Sequence, residues 1–286
     1  MRIGFVGAGK VGCAFGKFLR MHGVDVAGYA SQRTESAREA AAFTETRAYE
    51  SPQALLADCD ALFITVPDGK IRAVYESLDA DQLAGKMICH CSGALSAGET
   101  FPGIEEAGAY GYSIHPLFPV SGRDVWSELV HASFSIEGSA RYLQDWEQLL
   151  RDCGVAVRVI EPAAKTKYHA ACCIAANLMC ALADEATGLL GECGFAPEEA
   201  RSALAPLMRA NLESIIAVGA EAALTGPVER NDIGTVARHL GCLETEEEHE
   251  LYRAASAHLV GVARHRHPEQ DYQPMEELLG MESAGR

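Results

Sequence analysis

Short apolar runs alternate with helical patterns along the first half of the chain. Such runs, bounded by turn residues, predict buried strands at residues 3–6, 24–30, 47–49, 61–66 and 87–91. Between them the apolar positions recur every three or four residues, as Val11, Phe15 and Phe18 do within the segment 10–22. Strands that alternate with helices in this way are typical of a parallel sheet with helices packed on its faces.

The second half of the chain has a different pattern. Further strands are expected near 110–114, 133–136 and 155–160, but no convincing strand pattern follows Glu161 and Pro162. From Ala163 to Cys193 the pattern predicts one long helix, which Gly194 ends. We therefore predict an α/β domain over residues 1–161 and an all-helical domain over residues 162–286.

A glycine-rich turn follows the first predicted strand. The run Ile3-Gly4-Phe5-Val6 leads directly into Gly7-Ala8-Gly9-Lys10-Val11-Gly12, and a helical pattern comes next. A GxGxxG between a strand and a helix is typical of dinucleotide binding, because the glycines allow a tight turn and close approach to a pyrophosphate. The start of the helix also favours phosphate groups. We therefore predict that the nucleotide is bound by Gly7, Gly9, Lys10, Val11 and Gly12. The alternative is a glycine-rich turn that has no ligand.

The fold class that follows is α/β, a Rossmann dinucleotide-binding domain followed by an all-α C-terminal domain.

The residues after the second strand indicate which dinucleotide is bound. An NAD site usually places an acidic residue there for the ribose hydroxyls, but this chain has Tyr29-Ala30-Ser31-Gln32-Arg33-Thr34. Ser31 and Arg33 could instead hold a 2′-phosphate, because a guanidinium binds phosphate with two hydrogen bonds. We therefore expect the bound dinucleotide to be NADP. The alternative is that Arg33 is a surface arginine that binds no phosphate.

Two further strand ends complete the predicted nucleotide site. Val66 and Pro67 follow the strand at 61–66 and would line the pyrophosphate and nicotinamide side, while Ser92 follows the next strand and could approach the nicotinamide. The alternative for each is an ordinary strand-to-helix turn.

Composition narrows the function further. The formal net charge of −16 disfavours nucleic acid and anionic membranes as partners. No apolar stretch is expected to reach the length that spans a bilayer, and no signal peptide is expected before the first strand. The ten cysteines do not form a disulfide framework, which favours a cytoplasmic location. Cys89-His90-Cys91 lacks a second ligand pair, so we expect no metal site.

Two groups of polar residues are candidates for catalysis. His115 follows a predicted strand at the sheet edge where ligands bind, and it could bond a substrate carbonyl or carboxylate. On the long helix, a stripe of about 120° carries Lys165, His169, Cys173, Asn177 and Asp184. Lys165 or His169 could protonate a developing alkoxide, and Asn177 could orient the substrate. The alternatives are a packed turn histidine and hydrogen bonding between helices.

A third candidate is Arg230, within Leu224-Thr225-Gly226-Pro227-Val228-Glu229-Arg230-Asn231-Asp232. It could bind a substrate carboxylate or form an ion pair with Asp232. Together with His115-Pro116-Leu117 and His169…Asn177-Leu178, this segment resembles a family with a Rossmann-like domain and a DUF2520 helical domain. The order of elements also resembles the superfamily of 6-phosphogluconate dehydrogenase, ketopantoate reductase and pyrroline-5-carboxylate reductase.

The resemblance implies an NADP-dependent oxidoreductase. In 3-hydroxyacid dehydrogenases and ketopantoate reductase, a catalytic lysine on the opening helix of the second domain is followed one turn later by asparagine, whereas here His169 follows Lys165. We expect hydride transfer between NADPH and either a small carbonyl compound or an imine. A 2-keto acid such as ketopantoate is the leading carbonyl substrate. The alternatives are an enzyme similar to pyrroline-5-carboxylate reductase or prephenate dehydrogenase, and a non-catalytic NADP(H)-binding sensor or scaffold. The expected partners are a small-molecule substrate and a second copy of the chain.

Overall fold

The computed structural model describes residues 1–281 of the chain. The chain divides into two compact units, Met1–Leu178 and Met179–Arg286. The predicted domain boundary at 161/162 follows the last strand, whereas the first compact unit also includes the helix that comes next. Lys165, Tyr168 and His169 therefore belong to the same unit as the sheet.

The first unit contains an eight-stranded sheet in the order β3-β2-β1-β4-β5-β6-β7-β8. Its strands are β1 Arg2–Val6, β2 Asp25–Ala30, β3 Arg47–Ala48, β4 Ala61–Ile64, β5 Met87–His90, β6 Tyr110–Leu117, β7 Ser133–Gly138 and β8 Ala156–Val159. Neighbouring strands are parallel except β6 and β7, which are antiparallel. The carboxyl ends of β1, β4, β5 and β6 therefore lie at one edge, where open α/β sheets bind ligands.

Helices cover both faces of this sheet. They are α1 Lys10–Met21, α2 Thr34–Thr44, α3 Pro52–Ala57, α4 Asp68–Glu76, α5 Ala97–Thr100, α6 Leu143–Asp152 and α7 Lys165–Ala175, with 3-10 turns at Ala80–Gln82, Asp124–His131 and Pro162–Ala164. Phe15 of α1 and Trp146 of α6 pack in the core on one face. Leu55 of α3 and Ile71 of α4 pack in the core on the other face. Ser51 caps α3, since its side chain accepts from the Ala54 N–H.

Strand β6 is longer than the sequence pattern predicts. It runs to Leu117, so His115 and Pro116 lie inside a strand and not in the turn after it. There they pair with Ser135 and Phe134 of β7. A proline within a strand usually indicates its end, because proline cannot donate to the ladder, and this misplaced the predicted boundary.

The long helix predicted from Ala163 to Cys193 is interrupted. Ala176 leaves the helical region of backbone space, with φ −121° and ψ −64°, and separates α7 from α8 Asn177–Glu192. Asn177 therefore begins a new helix and does not continue the stripe that starts at Lys165.

The second unit is helical throughout the part that the structure describes. It contains most of α8, then α9 Pro197–Ala223, α10 Ile233–Cys242, α11 Glu246–Arg266 and α12 Gln273–Leu278. Its core is formed around Val236, Val260, Tyr272 and Met275. Side chains cap two of its helices: Asp232 caps α10, and Thr245 with Glu248 forms a capping box for α11.

Apolar side chains are exposed on α8 and α9. No residue of α8 is buried, and Leu207 and Ile216 of α9 are 67% and 75% exposed. The helical stretch Pro162–Glu192 is also long and apolar enough to cross a membrane by length and composition. The expectation that no apolar stretch reaches this length was therefore wrong, because no charged residue interrupts 168–183. A helix that is apolar all round is covered either by lipid or by other protein.

Candidate active site

The turn after β1 has the geometry that its glycines suggest. Gly7 has φ +109°, and a Cβ there would lie 2.8 Å from the backbone of Thr65. A Cβ on Gly12 would meet the Thr65 hydroxyl and lie 2.6 Å from the carbonyl oxygen of Gly7. The Thr65 hydroxyl donates to that same carbonyl oxygen at 2.9 Å. The start of α1 therefore packs directly against the ends of β1 and β4, and larger residues would separate them.

A cavity of about 970 Å³ opens above this turn. It is lined by predicted nucleotide-binding residues, namely Gly7, Gly9, Ser31, Arg33, Val66 and Pro67. The Arg33 guanidinium donates to the Ser36 hydroxyl, so it lies beside Ser31 at the end of β2. The open approach at Gly9, the N-terminus of α1 and the absence of an acid at the end of β2 fit an NADP dinucleotide. Lys70 also lines the cavity, although the sequence analysis did not single it out.

The remaining predicted nucleotide residues lie beside the cavity and do not line it. Lys10 and Val11 form the first turn of α1, and Gly12 packs beneath the turn. The Ser92 hydroxyl donates to Asp68 at 2.7 Å and accepts from the N–H groups of Ala94 and Leu95. Ser92 thereby ties the end of β5 to the start of α4. Asp68 is the first residue of α4, and Pro67 occupies the cap position.

A row of buried polar side chains crosses the next strands. His90 pairs with Ser113 in parallel register, and Ser113 pairs with Glu137 in antiparallel register. Paired residues point to the same face of a sheet, so the three side chains lie next to one another. All three are at most 1% exposed.

Lys165 covers this row from the first position of α7. Its side chain is buried, and its ammonium nitrogen donates to the Ser113 hydroxyl at 2.6 Å. Burial lowers the pKa of Lys165, while the nearby carboxyl group of Glu137 opposes this shift. A lysine whose pKa is lowered is better suited to exchange a proton with a bound substrate.

His115 is held next to Lys165 as a neutral imidazole. Burial, followed by the charges of Lys165 and His169, lowers the pKa of His115 to about 4. Its Nδ1 lies 2.9 Å from the hydroxyl of Tyr168, whose pKa burial raises to about 12. If that hydroxyl donates to Nδ1, the other ring nitrogen carries the proton and can donate to a ligand.

His115 and His169 converge above Gly93, the residue that follows Ser92. A Cβ on Gly93 would lie 2.9 Å from Nε2 of His115 and would also meet Nδ1 of His169. The ring centroids are 6.1 Å apart at nearly a right angle. Nδ1 of His169 is buried and has no hydrogen-bond partner among residues 1–281. A buried nitrogen without a partner is costly unless a ligand or water satisfies it.

The structure brings together three of the five predicted catalytic residues. Lys165, His169 and His115 lie side by side in the first unit. Asn177 is exposed at the start of α8 and makes no hydrogen bond to them. Arg230 is exposed in the second unit, in the turn before α10.

The sequence analysis did not include Ser113, Glu137 and Tyr168 in the site. Ser113 and Glu137 alternate with the buried apolar residues Ile114 and Ile136 along their strands. Polar residues at inward-facing strand positions could have indicated the site, because their burial requires partners. Tyr168 lies on the same helix but outside the predicted stripe, and its contact with His115 depends on the fold.

No group of three or more His, Cys, Asp or Glu residues could hold a metal ion within residues 1–281. None of the ten cysteines forms a disulfide bond. The described residues of this site present amine, imidazole and hydroxyl groups.

Two family models match the chain. A Rossmann-like domain matches residues 1–116, and DUF2520, a domain of unknown function, matches residues 132–259. The chain combines a Rossmann-like domain with a DUF2520 domain. The resemblance inferred from the glycine turn and the His115, His169 and Arg230 segments is thereby confirmed. No curated protein matches the chain.

Solved structures share the fold of this chain. Protein TM1727 from Thermotoga maritima is 26% identical to this chain, with a TM-score of 0.74. The match covers 92% of this chain and 99% of the TM1727 chain. An imine reductase from Pseudomonas sp. is 15% identical, with a TM-score of 0.66. The match covers 98% of this chain and 94% of the imine reductase chain. A pyrroline carboxylate reductase from Plasmodium falciparum, solved with NADP bound, is 14% identical, with a TM-score of 0.57 and coverage of 98% and 99%. The predicted fold class is confirmed.

Proposed function

We propose that this protein is an NADP-dependent oxidoreductase that transfers hydride between NADPH and a small carbonyl or imine compound. The observation that carries the proposal is the placement of a buried lysine, Lys165, at the same sheet edge as the glycine turn. The names of two structural relatives, an imine reductase and a pyrroline carboxylate reductase, support a reductase that acts on C=N or C=O bonds. A 2-keto acid such as ketopantoate is the leading carbonyl substrate, and an imine is its rival.

Bound NADPH would supply the hydride, and the residues of the chain would bind it, orient the substrate and supply a proton. Gly7, Gly9 and the start of α1 would hold the pyrophosphate, and Ser31 with Arg33 would hold the 2′-phosphate. Val66 and Pro67 would exclude water beside the ribose. Lys10, Val11, Gly12 and Ser92 would support this site from the adjoining turns.

Lys165 is the proposed proton donor. Its ammonium group has two further N–H bonds besides the one to Ser113, and either can point to the oxygen or nitrogen that gains negative charge. His115 would donate a hydrogen bond from its protonated ring nitrogen, because Tyr168 satisfies the other nitrogen. His169, with its buried unsatisfied nitrogen, would accept or donate one more bond to the same substrate.

Asn177 and Arg230 complete the proposed catalytic set. Asn177 would orient the substrate, and the Arg230 guanidinium would bind a substrate carboxylate with two hydrogen bonds. A carboxylate would be shared by 2-keto acids, pyrroline-5-carboxylate and prephenate, so Arg230 does not choose among these substrates.

The experiment is a NADPH oxidation assay at 340 nm with 2-keto acids, including ketopantoate, and cyclic imines, including pyrroline-5-carboxylate. NADP⁺ reduction with prephenate is followed in parallel. Consumption of one compound supports the proposal and identifies the substrate class. A protein that binds NADPH tightly but consumes none of these compounds would instead support the alternative of a sensor or scaffold.

Cofactor choice is tested with Arg33→Ala. We expect NADPH affinity to fall by about tenfold or more while NADH affinity changes little, because only NADPH carries the 2′-phosphate. Arg38→Ala is the matched control, since Arg38 is an exposed arginine on α2 that pairs with Glu35. Equal loss of both nucleotides, or tight NADH binding without measurable NADPH binding in the native protein, contradicts the assignment.

We also propose that a second copy of the chain covers the exposed apolar residues of α8 and α9. The apolar stretch is not confined to one helix: it continues on α9, whose charged residues Arg209 and Glu213 alternate with Met208, Leu212 and Ile215. That alternation suits a surface between proteins better than a bilayer, in which charged residues are expensive. A two-fold dimer places the same apolar surface on itself, and a cytoplasmic location fits the lack of disulfide bonds among the ten cysteines.

A further inference from the structure

Glu137 is a buried carboxyl group that the proposed reaction does not yet use. It lies on β7, is 1% exposed, and one of its oxygens accepts from the Ala97 N–H at 2.9 Å. The other oxygen, Oε2, is buried and has no hydrogen-bond partner among residues 1–281. Burying a carboxyl group is costly unless a positive charge or further hydrogen bonds compensate it.

The strand register places Glu137 beside Lys165. Glu137 is the cross-strand partner of Ser113, and the ammonium nitrogen of Lys165 lies 2.6 Å from the Ser113 hydroxyl. Residues directly opposite in an antiparallel pair have Cβ atoms roughly 5 Å apart, so the carboxyl and ammonium groups are neighbours across one serine.

Lys165 is the positive charge that can compensate the buried carboxylate of Glu137. Glu137 also borders a cavity of about 400 Å³, whose other charged lining residues are Glu105 and Glu106. That cavity, as far as residues 1–281 define it, contains no cationic side chain. Burial raises the pKa of Glu137. The hydrogen bond from the Ala97 N–H and then the charge of Lys165 lower it, while the charge of Glu99 raises it.

Lys165 in turn faces few groups that could compensate its charge. Several titratable groups interact electrostatically with Lys165. They are Glu137 of β7, Asp68 of α4, Cys91 after β5, His90 of β5, His115 of β6 and Cys172 of α7. Burial lowers the pKa of both histidines, and burial raises the pKa of Cys91 to about 12. The two imidazoles and the Cys91 thiol are therefore uncharged at neutral pH. Among these groups Glu137 opposes the lowered pKa of Lys165 most strongly.

We propose that Glu137 is a positioning residue whose carboxylate is the counter-charge that keeps buried Lys165 in its ammonium form. This inference rests on the proposed function, in which Lys165 must hold a proton when the substrate binds. Glu137 does not touch the substrate in this arrangement. It acts by setting the pH range over which Lys165 can donate.

The direct test observes the protonation of Lys165 without turnover. The chain contains six lysines, so NMR of protein labelled with ¹³C at lysine Cε gives six signals, and Lys165→Met identifies the signal of Lys165. In the native protein we expect this signal to remain that of an ammonium group through neutral pH. In Glu137→Gln the titration is expected to move at least about one pH unit lower, because a neutral amide cannot compensate the charge.

Two further variants control for structural effects. Glu137→Asp keeps a carboxylate and is expected to recover part of the shift, whereas Glu106→Gln removes an exposed carboxylate of the same cavity and leaves the titration unchanged. The amide oxygen of Glu137→Gln can still accept from Ala97, so the variant is expected to fold and to bind NADPH normally. A Lys165 titration identical in Glu137→Gln and the native protein overturns the proposal, and so does an equal shift in Glu106→Gln.

Turnover supplies a second measurement. With any compound that the protein reduces, the alkaline limit of kcat/KM in Glu137→Gln is expected to move to lower pH by the same amount as the NMR titration. If no compound is reduced by the native protein, the proposed function fails, and the NMR titration alone decides whether Glu137 compensates Lys165. A shifted NMR titration with an unshifted rate profile would overturn the assignment of Glu137 to catalysis.

Discussion

Lys165 is the residue on which the proposed chemistry depends. Burying an ammonium group is unfavourable unless hydrogen bonds and opposite charge offset the lost hydration. Here Ser113 accepts one hydrogen bond, and the ring of Tyr168 lies 5.6 Å from the nitrogen. The stripe pattern on the helix predicted that Lys165 and His169 would share a site, because their spacing puts them on one face. It could not predict Ser113 or Glu137, since their contact with Lys165 requires strands β6 and β7 to pair.

Replacing Lys165 with methionine is expected to reduce kcat by about 10² to 10⁴-fold, the usual contribution of a positioned acid. The affinity for NADPH should change little, since Lys165 does not line the nucleotide cavity. Single-turnover and steady-state rates measure the first effect, and fluorescence titration measures the second. Lys167→Met is the control, because Lys167 is exposed on the same helix. Comparable losses in both variants would contradict a specific role for Lys165.

The buried histidines predict how stability depends on pH. Burial lowers the pKa of His115 to about 4 and that of His90 to about 3, both below the unfolded value near 6.5. Below pH 6.5 the unfolded chain therefore binds protons that the native protein does not, and the free energy of unfolding falls as pH falls. For His115 the loss accumulates down to about pH 4 and amounts to roughly 3 kcal/mol, at about 1.4 kcal/mol for each unit of pKa.

Urea unfolding between pH 7 and pH 4.5 measures this fall. His115→Asn is expected to make the dependence less steep than in the native protein, because the residue that must be protonated on unfolding has been removed. His265→Asn, at an exposed position on α11, should leave the slope unchanged. A native protein with constant stability over this range would show that His115 is not held neutral.

At the scale of elements, the turn between β1 and α1 was predictable and the end of the polar stripe was not. The glycine spacing restricts the local backbone strongly, so Gly7 and Gly12 occupy the positions that the motif requires. The break at Ala176 leaves no comparable signal, because alanine is the best helix former and apolar residues continue on both sides. The extension of β6 through Pro116 was missed for a similar reason: pairing with β7 outweighs the local preference of proline.

Gly12→Ala tests the contact between this turn and β4. The added methyl group would collide with the Thr65 hydroxyl and the Gly7 carbonyl, so α1 must move away from the sheet. We expect NADPH affinity to fall by about tenfold or more and the melting temperature to fall by several degrees, since overpacking usually destabilises by about 1–3 kcal/mol. Calorimetric titration and thermal unfolding measure these effects.

Gly69→Ala is the matched control for that substitution. Gly69 lies in α4, and a Cβ there would meet no atom within 4 Å. Alanine in a helix is favoured over glycine, so this variant should be as stable as the native protein or slightly more stable. If Gly12→Ala binds NADPH as tightly as Gly69→Ala does, the turn does not hold the pyrophosphate.

At the scale of the whole molecule, charge and apolar surface have opposite consequences. The net charge of −16 repels anionic ligands at long range, so a phosphate-bearing cofactor depends on local donors such as Arg33, Lys70 and the start of α1. The same charge repels a second copy, yet the apolar side chains of α8 and α9 are too numerous to remain in water without cost. Assembly should therefore strengthen as salt screens the charges.

The assembly is tested by light scattering coupled to size-exclusion chromatography. The native protein is expected at twice the chain mass, and Ile216→Glu is expected at the chain mass, because burying an unpaired carboxylate opposes association. Val130→Glu, at an exposed apolar position in the first unit, should leave the mass of the native assembly unchanged. A native protein that is monomeric at micromolar concentration in moderate salt would contradict a dimer.

Gly93 imposes a limit on attempts to redesign the substrate range of this protein. Even a methyl group at position 93 would displace the rings of His115 and His169. Mutant libraries that aim to accept bulkier compounds should therefore keep glycine at this position and vary other residues. Conversely, Gly93→Ala would be a useful inactive form for trapping a substrate complex, since it changes the imidazole pair without altering any titratable side chain.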